Sequence, residues 1–162
     1  MPPVAKPKEN NTLHIFDLDD TLFISDSKIL VVKGKKVIKE LMTTEFMHYK
    51  LKPGEQFDFS QFKSGDMFHK TAKPIKLMLY NAKQTISKKD KTIIVTARED
   101  LLNKNMFLKK FSDCNFPIDK VYVERAGNVS KSQSISTAAA KAAIISRYLD
   151  TGDFNRAKMW DD

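Results

Sequence analysis

The chain has 162 residues, 41% of them apolar and 30% charged, with a formal net charge of +8. That length supplies one domain with a sizeable core, and the composition is that of an ordinary soluble globular protein. No stretch approaches the roughly 20 apolar residues of a membrane span. The single cysteine, Cys114, excludes an internal disulfide; both features fit a protein of the reducing cytoplasm.

The N-terminus, Met1-Pro2-Pro3-Val4-Ala5-Lys6-Pro7-Lys8, lacks the apolar core of a signal peptide, and residues 1–11 read as a disordered lead-in. Charge is unevenly spread. Residues 1–27 hold two lysines and five acids, net −3; residues 28–91 hold fifteen lysines and six acids, net +9; residues 92–162 are net +2. A positive field beside an acidic site draws in a polyanion or a phosphorylated substrate; a lysine-rich solvated surface is the alternative. Cys114 reads as a small buried hydrophobe, since no nearby His or helix start activates its thiol.

In chain order, residues 12–18 predict a strand through Leu13, Ile15, Phe16 and Leu18. It runs into Asp17-Leu18-Asp19-Asp20-Thr21-Leu22. Two carboxylates one residue apart at a strand end repel each other, and burying either costs several kcal/mol unless it is paired, by roughly the figures for buried ions. A divalent cation with oxygen ligands resolves this, so the spacing points to Mg²⁺. Residues 28–39 predict a hairpin turning at Gly34. Pro53-Gly54 marks a further turn, and Phe57, Phe59 and Phe62 read as packing residues of a short docked element. Lys73-Pro74 predicts a helix start with proline in its first turn, its apolar side carrying Ile75, Leu77, Met78, Leu79, Ala82 and Ile86. Thr92-Ile93-Ile94-Val95 is a short apolar strand of the doubly buried, parallel-sheet kind. Arg98-Glu99-Asp100 leads into a helix with Leu101, Leu102, Met106, Leu108 and Phe111, and residues 119–124 predict a third strand. Residues 127–136 are polar and Ser-rich and predict a mobile loop. Ser136 or Thr137 caps a helix running to about Leu149, and residues 157–160 form a last strand ending at Asp161-Asp162.

Alternating strands and helices predict an α/β fold with a parallel sheet. The long piece between the first two core strands is too much for one crossover helix and must hold an inserted cap, placed at about residues 23–72 of a core domain spanning 12–162. In such sheets ligands bind at the carboxyl ends of the strands. Asp17/Asp19, Thr96 and Asp161/Asp162 all fall there, with Lys141 near the start of the preceding helix.

This order resembles the haloacid dehalogenase superfamily of phosphohydrolases. The apolar strand with Asp17-Leu18-Asp19-Asp20-Thr21 is similar to its first motif, and Ile94-Val95-Thr96-Ala97-Arg98 to its second. Lys141 matches the third, and Met159-Trp160-Asp161-Asp162 the fourth. The segment from Ile29 to Phe62, with Glu40-Leu41-Met42, Glu45-Phe46 and Phe57-Asp58-Phe59, looks similar to small phage-encoded members, which would place the protein in the cytoplasm of a host cell. The resemblance implies a three-layer Rossmann-like sheet with a small inserted cap, made of a β-hairpin and short elements.

It also implies a Mg²⁺-dependent phosphatase. Asp17 would attack phosphorus and form an aspartyl-phosphate, and Asp19 would protonate the leaving oxygen and then deprotonate the hydrolytic water. Mg²⁺ would be held by Asp17, the Asp19 carbonyl and Asp162, with Asp161 behind the metal or on Lys141. Thr96 would donate to a phosphoryl oxygen, and Lys141 would offset charge. Arg98 either grips a second phosphate or sugar edge or pairs with a nearby acid. Asp20 organises the loop. His14, His48 and His69 have no metal spacing, and His69 alone merits a test. The chain ends at Asp162, where relatives continue with a loop and often another strand and helix. The basic insert favours a nucleotide or a nucleic-acid terminal phosphate as substrate. A binding module for nucleic acid or a protein partner that turns nothing over is the alternative, and phosphoryl transfer to another acceptor would use the same residues.

Overall fold

A computed structural model describes residues 11–161. The expected lead-in, Asn11 apart, and Asp162 lie outside the described residues. The sheet at the centre has four parallel strands: β1 (Thr12–Phe16), β7 (Lys91–Thr96), β8 (Tyr122–Arg125) and β9 (Arg156–Trp160), in the order β8-β7-β1-β9. All five residues of β1 are buried, as expected for a central parallel strand covered on both faces. Its register sets Phe16 beside Ile94 and Trp160, so β1 and β9 end in one row and β7 runs two residues further, to Thr96.

Alternation along these strands feeds two apolar clusters. Leu13, Ile15, Ile93 and Val95 pack with Ala126, Ala140 and Ile144 on one side. These come from α5 (Ala126–Gln133) and α6 (Thr137–Asp150). On the other side Phe16 and Ile94 meet Phe68, Leu79, Ala82, Phe107 and Phe111, carried by α2 (Gly65–Thr71), α3 (Lys76–Thr85) and α4 (Lys104–Asp113). The rings of Phe23, Phe68, Phe107 and Phe111 stand 4.7–5.4 Å apart along the chain of contacts from Phe23 to Phe68, Phe107 and Phe111; each buried side chain of this kind stabilises the fold by about 1.5–3 kcal/mol.

The segment between β1 and β7 carries its own antiparallel sheet. Strands β3 (Ile29–Lys33), β4 (Lys36–Leu41) and β5 (Glu55–Asp58) lie in the order β4-β3-β5. The β3–β4 hairpin turns where the sequence predicts: Gly34 has φ +62°, in the left-handed region that glycine enters without steric cost. Ile29, Val31 and Leu41 make a small core that Phe46, Tyr49, Phe57 and Phe62 close. A four-residue helix, α1 (Thr43–Phe46), follows β4, and a two-stranded ribbon, β2 (Phe23–Ile24) with β6 (Lys73–Pro74), marks where the segment leaves and rejoins the main sheet.

Four expectations are corrected. Lys73-Pro74 does not open a helix. The residue before a proline is pushed out of the α region, and here Lys73 pairs with Ile24 while the Ile75 amide donates to the Leu22 carbonyl, so α3 starts at Lys76. Leu101 and Leu102 are not helical. Leu102 is held extended by its amide on the Lys63 carbonyl and its carbonyl on the Gly65 amide, and α4 begins only at Lys104. Residues 127–136 are mostly helix α5, not a loop. Serine-rich segments read as loops because the hydroxyls compete for backbone groups. Here the Ser130 hydroxyl donates to the Ile135 carbonyl at the helix end, and buried Ala126 and Gly127 press the first turn onto the segment after β7. A methyl on Gly127 would stand 2.5 Å from the Ala97 carbonyl oxygen, so this packing requires glycine. The strand expected over 119–124 is shorter, since Ile118–Lys120 form a 3₁₀ turn.

Candidate active site

The site is built from the carboxyl ends of β1, β7 and β9. The Asp17 amide donates to the Trp160 carbonyl at 2.9 Å, which extends the β1–β9 pairing by one residue and brings Asp17 beside Asp161. Beyond it the chain folds back at once. The Leu22 and Phe23 amides both donate to the Leu18 carbonyl, and Asp20 takes a left-handed conformation with φ +63°. Asp is among the few side chains that tolerate that region, which agrees with Asp20 organising the loop. Leu18 and Leu22 are fully buried and anchor the turn.

Asp17 is buried, with one carboxylate oxygen 3.1 Å from the Lys141 ammonium and bonded by the Leu18 amide at 2.8 Å. Burial pushes its carboxyl up from 3.8 to about 7, and the hydrogen-bonded Asp161 carboxyl adds to the rise; Lys141 and the Leu18 amide pull the other way. The carboxyl that presses on Asp17 is therefore Asp161 and not Asp19, the acid one residue on that the sequence pairs with it. Lys141 sits in the second turn of α6, whose start is fixed by the Ser136 hydroxyl accepting from the Ala139 amide. Ala140 and Ile144 anchor that helix to the sheet, and the Lys141 ammonium stands between Asp17 and Asp161, 3.9 Å from the latter. Thr96, at the end of β7, is fully buried, and its hydroxyl oxygen accepts from the Arg98 amide at 3.1 Å.

Asp17, Asp161 and Lys141 are thus brought together, with Thr96 on the neighbouring strand end; Asp162 lies outside the described residues. Asp19 is placed differently. Both its carboxylate oxygens are taken by Arg98, Nε at 3.0 Å and Nη2 at 2.7 Å. The same guanidinium donates to the Ser25 hydroxyl and to the Phe62 carbonyl, and it lies about 5 Å from the Phe62 and Phe68 ring centres. Arg98 is buried and faces an acid. Of the two sequence readings for this residue, an ion pair with a nearby acid describes its present contacts, and the acid is Asp19, not Glu99 or Asp100. Ser25 and Phe62 carry no sequence signal; their part depends on where the inserted segment folds back.

The donors near Asp17 are all oxygen: its own carboxylate, that of Asp161 and the backbone of the turn. Such a set suits a hard cation such as Mg²⁺, which would also relieve the shared charge. Among the described residues no group of three His, Cys, Asp or Glu side chains converges in a metal-binding arrangement. His69 pairs with Asp113 on α4 and His14 with Asp90 ahead of β7, so neither joins the carboxylates. Cys114 ends α4 partly buried, with burial pushing its thiol up.

Between the Asp17–Thr21 turn and the inserted sheet lies a narrow cleft of about 70 Å³, lined by Asp19, Asp20, Ile24, Lys28, Met42 and Phe62 among others. No helix among the described residues is long and apolar enough to cross a membrane. Comparisons of the chain with family models, with curated proteins and with solved structures found no match.

Proposed function

We propose that the protein is a Mg²⁺-dependent phosphatase of the haloacid dehalogenase type, with a three-layer Rossmann-like core and an inserted cap, acting through an aspartyl-phosphate on Asp17. The observation that carries this reading is the trio of Asp17, Lys141 and Asp161 at adjoining strand ends, with Asp17 bonded to both. A buried carboxylate between a lysine and a second acid contributes little stability that an apolar residue of similar volume would not match; carboxyls perturbed by burial and specific charged partners cluster where a nucleophile, acid or base works.

In the first step an Asp17 oxygen bonds to phosphorus and the bond from phosphorus to the leaving oxygen breaks, that oxygen taking a proton from Asp19. In the second, water attacks the same phosphorus, gives its proton to Asp19 and frees Asp17. Lys141 offsets the charge that gathers on the phosphoryl oxygens, and the Thr96 hydroxyl donates to one of them. Asp17, the Asp19 carbonyl and Asp162 would hold Mg²⁺, with Asp161 behind it or on Lys141, and the ion would supply the positive charge that lets an anionic nucleophile meet an anionic phosphate. The net +9 of residues 28–91 favours a nucleotide or a nucleic-acid end as substrate.

A second reading, a binding module that keeps the fold without turnover, is favoured by one contact: the bidentate Arg98 pair occupies both Asp19 oxygens, which a proton-donating acid must free. The deciding experiment is phosphate release with Mg²⁺ from an aryl phosphate, nucleoside monophosphates and 3′- or 5′-phosphorylated oligonucleotides. Release that Asp17→Asn abolishes supports the phosphatase. Salt-sensitive oligonucleotide binding that survives Asp17→Asn, with no release from any substrate, supports the binding module.

A further inference from the structure

We propose that the cleft between the Asp17–Thr21 turn and the inserted sheet is the leaving-group subsite, and that Lys28 selects phosphomonoesters whose leaving group carries a second phosphate. This deepens the phosphatase reading and rests on it.

The cleft is lined by Asp19, the residue proposed to protonate the leaving oxygen, so on that reading a group leaving from phosphorus at Asp17 exits past it. Of its two carboxylates, Asp19 is paired with Arg98, and Lys28 lines the same cleft. The cations nearest the strand ends are engaged: Arg98 on Asp19, Lys141 on Asp17, Lys63 on Glu99. Lys28 is half-buried and, among the described residues, forms no ion pair. Its charge is thus not neutralised by a carboxylate, and an arriving phosphate gains a charge-assisted contact without displacing one.

Lys28 is also firmly mounted. Its amide donates to the Gln61 side-chain oxygen at 2.7 Å, and the Ser27 hydroxyl donates to the Gln61 carbonyl. Both ends of the inserted sheet therefore fix the lysine's base. At about 70 Å³ the cleft is small beside the roughly 300–1,000 Å³ of pockets that enclose a drug-sized ligand, so it takes part of a leaving group. The remainder of the leaving group must lie along the rim, where Ile24 and Met42, each 53% exposed, offer an apolar shelf. A sugar with a base on the shelf and the next phosphate on Lys28 fits this layout: the end of a nucleic-acid strand, or a nucleoside bisphosphate.

The test compares phosphate release from a 3′-phosphorylated dinucleotide, which has an internal phosphate, with release from the matching nucleoside 3′-monophosphate, which has none. The expected result is that wild type prefers the dinucleotide in kcat/KM by about fivefold or more, that Lys28→Gln removes most of this preference, and that Lys28→Arg keeps it, the size expected of one phosphate contact. A ratio that Lys28→Gln leaves unchanged overturns the inference while leaving the phosphatase intact. If no phosphate ester of the wider panel is turned over either, the phosphatase reading fails and the leaving-group role with it, and titration calorimetry of the dinucleotide decides whether Lys28 is still a phosphate contact. A Kd raised about fivefold by Lys28→Gln and restored by Lys28→Arg supports the subsite; an equal Kd overturns it.

Discussion

Replacing Asp17 with asparagine is expected to change how stability depends on pH. The folded chain holds the Asp17 carboxyl up at about 7 against an ordinary 3.8, chiefly through burial and secondly through the Asp161 carboxyl. Between those values the folded protein keeps a proton that the unfolded chain releases, so stability is greatest on the acid side of the window and declines as pH rises through it. At ~1.36 kcal/mol per pH unit, the interval from 3.8 to about 7 sets a ceiling of about 4 kcal/mol. Asparagine is neutral throughout and nearly isosteric, so it escapes this decline. Urea denaturation with a chelator present should show the Asp17→Asn variant gaining about 2–4 kcal/mol on the parent between about pH 4 and about pH 8. For a domain of this length that equals a relative rise in Tm of about 4–16 °C. Added Mg²⁺ at the upper pH should stabilise the parent and do little for the variant. Two stability curves that run parallel across this range would refute the claim that Asp17 is buried against its own ionisation.

Arg98→Ala strips the guanidinium from Asp19, Ser25 and the Phe62 carbonyl; thermal unfolding should show a loss of about 3–5 kcal/mol, as for other broken buried pairs, with Arg98→Lys recovering only part because it lacks the planar fork. Thr21→Val should be neutral or slightly stabilising by urea denaturation, because the buried Thr21 hydroxyl finds no partner among the described residues. Gly127→Ala should cost about 1–3 kcal/mol by the same measurement, since its methyl would meet the Ala97 carbonyl oxygen at 2.5 Å.

The centre of the main sheet was legible because β1 and β7 are short, largely apolar and buried runs. The Thr92 to Val95 run needs no partner information to read as a doubly covered strand, and the first strand follows the same rule, whereas the last is an edge strand exposed along most of its length. The hairpin was legible from Gly34 alone. The misread pieces share a different cause. Lys73-Pro74 and Leu102 are set by hydrogen bonds to residues distant in sequence, Ile24 and Leu22 in one case, Lys63 and Gly65 in the other. Helix α5 depends on the packing of Gly127 against Ala97, which no local pattern announces. At the site, Asp17, Lys141 and Asp161 could be placed together because each ends or precedes a strand of one parallel sheet. The Arg98–Asp19 pair could not, because which acid an arginine meets depends on how the Asp17–Thr21 turn aims its carboxylates and on where Phe62 returns from the insert.

The central claim is that Asp17 becomes covalently phosphorylated. The most direct measurement is acid quenching of the protein during Mg²⁺-dependent turnover of the best substrate, followed by peptide mass spectrometry. The account predicts an acyl phosphate on the peptide containing Asp17, absent from Asp17→Asn and lost on treatment with hydroxylamine. Phosphate release that proceeds with no covalent phosphate on the chain, or with the phosphate on another residue, would contradict it.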